Sequence, residues 1–228
     1  MLLTIIIPCF NELHTIKTLL NSLIKIDFIN TEIIIIDDCS TDGTFNLLFE
    51  LNALYNFKLF KNDKNRGKGF CIKAGIKYAT GDLILIQDAD LEYDPLDIKK
   101  LLNPIFVFNA DVVYGSRFKG GDAGRVLFFW HMIGNKFLTL LSNLFTNLNL
   151  TDMETCYKLF KSEIIKNINL NENRFGFEPE VTAKISKLNL KIYEIGISYN
   201  GRNYSEGKKI NWKDGFRAIY CIIRYNIF

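Results

Sequence analysis

Acidic side chains at short spacing form the most suggestive chemical group in this chain of 228 residues. Asp88 and Asp90 flank Ala89, and Glu92 follows two positions later. Hard oxygen ligands at this spacing suit Mg²⁺ or Mn²⁺, which also bind phosphate oxygens. A divalent ion there would bridge a diphosphate and neutralise the charge of a departing nucleotide. A solvated acidic turn is the competing interpretation, because such tripeptides are common.

Four basic residues are candidates for binding phosphate groups. Arg117 follows a predicted strand, and arginine can contact phosphate oxygens through two nitrogens at once. Arg125 lies just before a strongly aromatic segment. Arg202 and Lys208 belong to a glycine-containing loop around Gly201–Gly207 that could close over a site. We expect these four cations to gather on the diphosphate and on the phosphate of a second substrate.

Short β-branched runs alternate with helical patterns in the first half of the chain. This rhythm predicts an α/β fold with a mainly parallel central sheet and helices on both faces. The predicted strands are Leu3–Pro8, Glu32–Asp37, Phe57–Lys61, Asp82–Gln87 and Ala110–Ser116. The predicted helices are Glu12–Lys25, a helix capped by Thr41 or Asp42 that runs to about Leu54, Gly69–Ala79 and Pro95–Phe108.

The polar groups stand where these strands end. Glu12 follows the first strand, Asp37 and Asp38 close the second, Asp88–Asp90 follows the fourth, and Arg117 follows the fifth. In open parallel sheets, ligands bind outside the carboxyl ends of the strands. Four strand ends therefore predict one polar cleft, in which Asp37 and Asp38 would contact the base or ribose of a nucleotide. This convergence favours function over a solvated turn.

The second half of the chain has a different character. Val126–Phe145 is dense in aromatic and aliphatic residues, which suits either a core helix or an amphipathic helix in a membrane interface. A helix starting near Pro179, a strand over Lys191–Tyr199 and a C-terminal helix over Asn211–Tyr225 follow.

Composition argues against several classes of protein. The formal net charge of +3 is too small to attract nucleic acid by bulk charge. Five cysteines without a C-x-x-C pair argue against a disulfide framework and a zinc site, and favour a cytoplasmic location. The N-terminus does not resemble a signal peptide, and no run of about 18 apolar residues exists. No Walker loop, G-x-G-x-x-G motif or Ser-His-Asp set is recognisable.

Four ordered motifs resemble the signatures of family-2 glycosyltransferases. They are Ile7–Glu12, Ile36–Thr44, Asn65–Gly69 and Gln87–Glu92, and as an ordered set they are far more specific than any one motif. The resemblance implies an A-type glycosyltransferase fold and inversion at the anomeric carbon. It implies nucleotide binding by Pro8, Phe10, Glu12, Asp37, Asp38, Lys68, Asp88 and Ala89, and metal binding by Asp88, Asp90 and Glu92.

The later residues resemble the polyprenyl-phosphate branch, which is similar to dolichyl-phosphate mannose synthases. The resemblance rests on Tyr114–Phe118, Arg125, the aromatic segment with Gly134-Asn135, and Asp152–Phe160; Glu92 stands where mannose synthases more often have Gln. It implies transfer of mannose or glucose from a GDP-mannose or UDP-glucose type of donor to a polyprenyl phosphate. Asp88, Asp90, Arg117 and Asp152 would be the catalytic residues.

This resemblance also implies how the chain is organised. We expect one domain over residues 1–228, in which residues 1–118 bind the nucleotide sugar and metal. Residues 119–228 would bind the acceptor and carry membrane-facing helices. The protein would lie peripherally at the cytosolic membrane face, where a separate membrane-anchoring partner could hold it.

Two alternatives remain open. The acceptor could be a sugar hydroxyl, which would require a general base, and Asp152, Glu154 or Glu178 are candidates. A polyprenyl phosphate, by contrast, is already ionised at neutral pH. The chain could also be a nucleotide-binding module without turnover, although the intact pair Asp88 and Asp90 argues against that hypothesis.

Overall fold

The computed structural model describes residues 1–120, 124–126, 128–203, 206–207 and 212–228. Seven strands form one sheet in the order β3-β2-β1-β4-β6-β5-β7. β6 runs antiparallel to its neighbours β4 and β5, whereas the other paired strands are parallel. The strands are β1 (Leu2–Cys9), β2 (Asn30–Asp37), β3 (Lys58–Lys61), β4 (Leu83–Ile86), β5 (Val112–Ser116), β6 (Lys158–Lys161) and β7 (Ile192–Gly196).

Helices connect the strands and complete the α/β architecture. A short 3₁₀ helix, Pro95–Asp97, leads into α4, and Asp94 starts it by accepting a hydrogen bond from the Leu96 N–H, at the predicted start signal. The α-helices are α1 (Ile16–Leu23), α2 (Thr44–Tyr55), α3 (Lys68–Tyr78), α4 (Ile98–Phe108), α5 (Phe129–Thr146), α6 (Ser162–Asn167), α7 (Phe177–Ser186) and α8 (Trp212–Ile227).

The central strands are buried because both of their faces are covered. Ile5, Ile6 and Ile7 are consecutive in β1 and all are fully buried, as expected for a parallel strand inside a sheet. Helix α3 packs against β1 through Gly75, where an added Cβ would lie 2.4 Å from the Ile6 side chain. The glycine therefore allows the helix to approach the strand.

Several elements differ from the expectation, and two were not predicted. Strand β7 ends at Gly196, three residues before the predicted end at Tyr199. Helix α1 begins at Ile16 and not at Glu12, because residues 12–15 form a turn. Gly43, with φ +96°, occupies the N-cap position of α2, and Asp42 instead accepts a hydrogen bond of 3.0 Å from the Thr44 N–H. Strand β6 and helix α6 have no counterpart among the predicted elements.

The strand order places a crevice beside the middle of the sheet. The order reverses between β1 and β4, and ligands of open α/β sheets bind at such a reversal. Because β1, β2, β4 and β5 run in the same direction, the residues after them lie at one edge of the sheet. The polar groups predicted to converge are therefore brought to the same edge.

Candidate active site

Three carboxylates surround the guanidinium group of Arg202. Glu12, which follows β1, accepts two hydrogen bonds of 3.2 Å from the terminal guanidinium nitrogens of Arg202. Asp90, beyond β4, accepts one of 2.7 Å from the guanidinium group. Glu92 accepts one of 3.4 Å from Arg202 Nε and one of 2.9 Å from the Arg202 backbone N–H. Leu91, with φ +62°, turns the chain between the latter two acids. One positive charge thus faces three negative charges.

Asp88 is paired with a different cation, Lys68 at the start of α3. The Lys68 ammonium lies 2.8 Å from Asp88 Oδ1 and 3.2 Å from Glu178 Oε1. Burial opposes both charges, but the ammonium lowers the pKa of Asp88 and the carboxylate raises the pKa of Lys68. Lys68 therefore keeps Asp88 ionised, and the contact of Lys68 with a nucleotide stays a prediction.

The charge balance around Asp90 suits a divalent cation. Burial, and then the charges of Asp88 and Glu92, raise the pKa of Asp90 to about 7. A metal ion would relieve this repulsion, and carboxylate oxygens are the ligands that Mg²⁺ and Mn²⁺ prefer. In the described part of the chain, no three His, Cys, Asp or Glu side chains are placed to hold a metal ion by themselves. Asp88 and Asp90 would therefore share the ion with oxygens from a ligand or water.

The two acids at the end of β2 have different surroundings. Asp38 accepts hydrogen bonds from the Asn62 side chain at 2.7 Å and from the backbone N–H groups of Arg66 and Gly67 at 2.8 and 2.7 Å. It therefore shapes the loop that leads into α3. Asp37 is fully buried, and its Oδ1 has no hydrogen-bond partner. The contact of either acid with a nucleotide stays a prediction.

The other residues expected to hold a nucleotide lie along the same edge. Pro8 pairs with Ile36 in the parallel register of β1 and β2, and Phe10 follows the end of β1. Ala89 is buried between its two acidic neighbours. The structure brings these residues to adjacent strand ends, and their contact with a nucleotide stays a prediction.

Arg117 and Asp152 form a buried ion pair beside the cleft. The fully buried Asp152 carboxylate accepts hydrogen bonds of 2.7 and 2.8 Å from the guanidinium group and one of 3.0 Å from the Arg117 backbone N–H. Burial alone would lower the pKa of Arg117, but the Asp152 charge raises it. Asp152 therefore fixes the position of Arg117.

Arg125 ties two loops together. Its guanidinium group donates to the Gly201 carbonyl at 3.1 Å and to Glu206 at 2.7 Å, and its backbone N–H donates to the Tyr199 carbonyl. These contacts place Arg125 on the loop that carries Arg202. Lys208, the fourth predicted phosphate ligand, lies outside the described residues.

Tyr199 was not recognised from the sequence as a site residue. Its hydroxyl donates to Glu92 at 2.7 Å, and its ring lies under the Arg117 guanidinium with 5.2 Å to the ring centroid. Tyr199 thus connects the acidic cluster with the Arg117–Asp152 pair. Only its position at the end of the predicted strand Lys191–Tyr199 could have indicated it.

Helix α5 presents its apolar side chains to solvent. Its buried positions are the small polar residues Thr139, Ser142 and Thr146, whereas Trp130 is 78% and Leu144 74% exposed. This pattern is the reverse of that of an ordinary core-packed helix. In the described part of the chain, no helix is long and apolar enough to cross a membrane.

Helix α8 packs beside α5 and also carries exposed apolar side chains. Its own exposed residues include Trp212, Phe216 and Tyr220. Glu172 holds the buried side of α8 by accepting hydrogen bonds from Arg217 and from the Tyr225 hydroxyl. We call the exposed residues of α5 and α8 together with Phe128 the α5–α8 face.

Solved structures with a similar fold include glucosyl-3-phosphoglycerate synthase from Mycobacterium tuberculosis. Its complex with Mn²⁺ and UDP-glucose matches with a TM-score of 0.76 at 15% sequence identity, covering 98% of this chain and 78% of that chain. A complex with Mn²⁺, UDP and glucosyl-3-phosphoglycerate matches with a TM-score of 0.75 at 17% identity, covering 98% of this chain and 79% of that one. These matches confirm the A-type glycosyltransferase fold.

Sequence relatives cover almost the whole chain. Dolichol-phosphate mannosyltransferase of Pyrococcus furiosus is 27% identical over 99% of this chain, which spans 64% of the length of that relative. UDP-N-acetylglucosamine–dolichyl-phosphate N-acetylglucosaminyltransferase of Methanococcus voltae is 29% identical, covering 97% of this chain and 95% of that protein. The sequence model of the Glycosyl transferase family 2 matches residues 4–168. The chain therefore belongs to glycosyl transferase family 2.

Proposed function

We propose that the chain is a metal-dependent hexosyltransferase that moves mannose or glucose from a nucleotide sugar to a polyprenyl phosphate. The observation that carries the proposal is the convergence of Glu12, Asp90 and Glu92 on one guanidinium group beside Asp88. Such an excess of negative charge at the strand ends suits a divalent ion with a diphosphate. The names of the two dolichyl-phosphate relatives support the lipid acceptor.

The proposed reaction needs alignment and charge stabilisation more than proton transfer. An oxygen of the lipid phosphate attacks the anomeric carbon while the bond to the nucleotide diphosphate breaks, which inverts that carbon. A divalent ion held by Asp88 and Asp90 would stabilise the charge of the leaving diphosphate. Arg117, oriented by Asp152, would bind the acceptor phosphate together with Arg125.

The arrangement of Asp152 favours a phosphate acceptor over a sugar hydroxyl. Its carboxylate accepts three hydrogen bonds from Arg117, and a base must have a lone pair directed at the acceptor. Glu178 likewise pairs with Lys68. Two of the three candidate bases are therefore engaged by cations, whereas a phosphate nucleophile needs no strong base.

The α5–α8 face supports peripheral binding at the cytosolic membrane face. A polyprenyl phosphate keeps its tail in the bilayer, so the enzyme must meet its head group at the surface. Exposed aromatic side chains can insert at the head-group boundary, and the nearby Lys136 and Arg125 can attract anionic lipid. A separate membrane-anchoring partner could use the same face.

Nucleotide binding tests the donor half of this proposal. We expect calorimetry to detect binding of UDP or GDP that strengthens at least about tenfold when Mg²⁺ or Mn²⁺ is added. Asp90→Asn should lose most of this metal dependence. If the affinity of the wild-type protein for the nucleotide is the same with and without the metal ion, the donor site is not metal-dependent.

An acceptor panel tests the other half. The wild-type protein, Mg²⁺ and UDP-glucose or GDP-mannose would be incubated with a polyprenyl phosphate and, separately, with sugars that offer only hydroxyl groups. Transfer of the hexose to hydroxyl groups and never to lipid phosphate would show that the acceptor is a sugar hydroxyl. Nucleotide binding with no sugar consumed on any acceptor would favour the non-catalytic module.

A further inference from the structure

Helix α5 holds a neighbouring segment, residues 150–153, through two polar side chains. The Asn143 amide donates to the Leu150 carbonyl at 2.7 Å and accepts from the Leu150 N–H at 3.2 Å. The Thr139 hydroxyl accepts from the Met153 N–H at 3.1 Å, in a contact where Thr139 is 4% exposed and Met153 is fully buried. The polar residues on the inner side of α5 therefore bind another part of the chain.

Strand β7 holds the same segment through one carboxylate. Glu194 accepts hydrogen bonds of 2.8 and 3.1 Å from the backbone N–H groups of Thr151 and Asp152, and one of 2.9 Å from the Thr151 hydroxyl. With the contacts from α5, four consecutive backbone N–H groups, from residue 150 to residue 153, donate to side-chain oxygens. The segment lies in the connection from α5 to β6, so these side chains, and not a regular backbone ladder, determine its position.

The segment in turn fixes Arg117. The fully buried Asp152 accepts hydrogen bonds from the Arg117 backbone N–H and from two nitrogens of its guanidinium group. One residue earlier, the Thr151 hydroxyl hydrogen-bonds to the Ser116 hydroxyl at 2.6 Å. A displacement of the segment is therefore passed on to Arg117. A guanidinium group contacts a phosphate through two nitrogens only in a narrow range of orientations, so such a displacement weakens phosphate binding.

We propose that Thr139 and Asn143 of α5, together with Glu194 of β7, are positioning residues for Arg117, and that α5 thereby determines how well the site binds the acceptor phosphate. This inference rests on the proposed function, because it takes the ligand of Arg117 to be the phosphate of the acceptor. The donor side of the cleft is held by other contacts, such as that of Lys68 with Asp88. Affinity for the nucleotide should therefore not depend on the positioning residues.

Amide hydrogen exchange followed by NMR tests the positioning itself. Thr139→Val removes the accepting hydroxyl at nearly constant volume, whereas Thr139→Ser keeps it. Thr146→Val is the matched control, because Thr146 is also buried on α5 but donates to the Ser142 carbonyl of its own helix at 2.8 Å. The Arg117 backbone N–H should exchange about fivefold faster in Thr139→Val than in the wild-type protein. Thr139→Ser and Thr146→Val should keep the wild-type rate.

Transfer kinetics test the consequence for the acceptor. With the nucleotide sugar saturating and the polyprenyl phosphate varied, Thr139→Val and Asn143→Leu should raise the KM for the lipid about fivefold or more. The Kd for UDP or GDP in the presence of Mg²⁺ should change less than about twofold in the same variants. Thr139→Ser and Thr146→Val should keep the wild-type KM. Thermal unfolding shows which variants are folded, and Thr139→Val alone decides if Asn143→Leu is not.

The outcomes separate this inference from the proposed function. If the Arg117 N–H exchanges at the wild-type rate in folded Thr139→Val, α5 does not position Arg117 and the inference is wrong. An unchanged KM for the lipid in the folded α5 variants, or an equal loss of affinity for the nucleotide, would also overturn it. If the wild-type protein transfers no hexose to lipid phosphate while the exchange rates are as expected, the proposed function fails and the positioning of Arg117 stands.

Discussion

At the residue scale, Asp90 is the carboxylate whose charge the metal hypothesis needs most. Its pKa, raised to about 7 by burial and by Asp88 and Glu92, means that the site tolerates a neutral side chain when no cation is bound. A neutral side chain of the same size should therefore fit the fold but weaken a metal site. The structural role and the proposed functional role of this residue can be separated by one substitution.

We predict that Asp90→Asn lowers turnover by about 100-fold or more, because it removes a charged metal ligand. The thermal unfolding temperature should stay close to that of the wild-type protein. Activity against Mg²⁺ concentration and a melting curve are the two measurements, with Asp27→Asn at an exposed position as control. Near-normal Mg²⁺-dependent activity of the variant would show that the acidic cluster is not the metal site.

Glu154 gives a prediction about pH. Burial, and then the charge of Glu178, raise its pKa from 4.5 to about 8. A carboxyl group whose pKa is higher in the folded than in the unfolded state stabilises the protein below the unfolded value, and this contribution is lost as the pH rises through the folded value. The unfolding free energy of the wild-type protein should thus fall relative to that of Glu154→Gln between about pH 4.5 and 8.

Denaturant unfolding at a series of pH values measures this difference. Glu163→Gln, at an exposed position of α6, is the control, and its unfolding free energy should change with pH as that of the wild-type protein does. If the unfolding free energies of the wild-type protein and of Glu154→Gln differ by a constant amount across this range, the pKa of Glu154 is not raised. Because the prediction concerns stability alone, it does not depend on the proposed function.

The sequence could identify single site residues but could not show how they pair. Asp88, Asp90 and Glu12 were recognised because each follows a buried strand, and the parallel sheet brings them together. The contact of Arg202 with Glu12 spans 190 positions and depends on the path of a loop after β7, which no periodic pattern reveals. The bond of Asp38 to the loop before α3 was missed for the same reason.

At the element scale, the loop after β7 carries Arg202, whose positive charge balances the acidic cluster. The Tyr199 hydroxyl and the backbone N–H of Arg202 both bind the Glu92 side chain, and the Asn200 N–H donates to the Glu92 carbonyl at 2.9 Å. Glu92 thus anchors this loop, and its predicted role as a metal ligand stays a prediction. A divalent ion near Asp90 would compete with the guanidinium group for the same carboxylates.

Arg202→Gln should therefore destabilise the metal-free protein by roughly 3 kcal/mol, because it leaves three clustered carboxylates without their cation. Added Mg²⁺ should raise the unfolding temperature of the variant more than that of the wild-type protein. Differential scanning calorimetry with and without Mg²⁺ measures both effects, and Arg224→Gln on the exposed side of α8 is the control. An equal response of variant and wild type to Mg²⁺ would contradict this competition.

Most elements could be predicted because their apolar patterns are strong. Strands β1, β2 and β4 are apolar runs that end at polar residues, and the structure places each within two residues of its predicted ends. Strand β6 is only four residues long and reads Lys-Leu-Phe-Lys, which carries too little pattern to predict. Its antiparallel insertion between β4 and β5 follows from tertiary pairing, since the chain reaches it only after α5.

At the scale of the whole molecule, the polar cleft and the α5–α8 face must act together if the acceptor is a lipid. Arg125 lies between the two, since it binds the loop that carries Arg202 and stands four positions before α5. A lipid head group at the membrane surface could thus reach the cations beside the cleft. The division of residues 1–118 from 119–228 stays a functional proposal, because β6 and β7 join the same sheet as β1–β5.

We predict that replacing Phe128, Phe129 and Trp130 by Ser weakens liposome binding and lipid glycosylation together, on the order of tenfold. These side chains are exposed, so the fold and nucleotide binding should survive. Serine at the equally exposed Phe49, Leu54 and Phe106, on other helices, is the matched control and should leave liposome binding unchanged. Sedimentation with liposomes checks the prediction, and normal binding by a folded α5 variant would place the acceptor elsewhere.

The most direct measurement is the mass of the lipid product. Wild-type protein would be incubated with liposomes that contain polyprenyl phosphate, with Mg²⁺ and with UDP-glucose or GDP-mannose, and the extracted lipid analysed by mass spectrometry beside an Asp90→Asn reaction. The account predicts polyprenyl phosphate carrying one added hexose in the wild-type reaction with one of the donors, and unmodified lipid with the variant. Unmodified lipid in both reactions, while sugar is transferred to a hydroxyl acceptor under the same conditions, would contradict it.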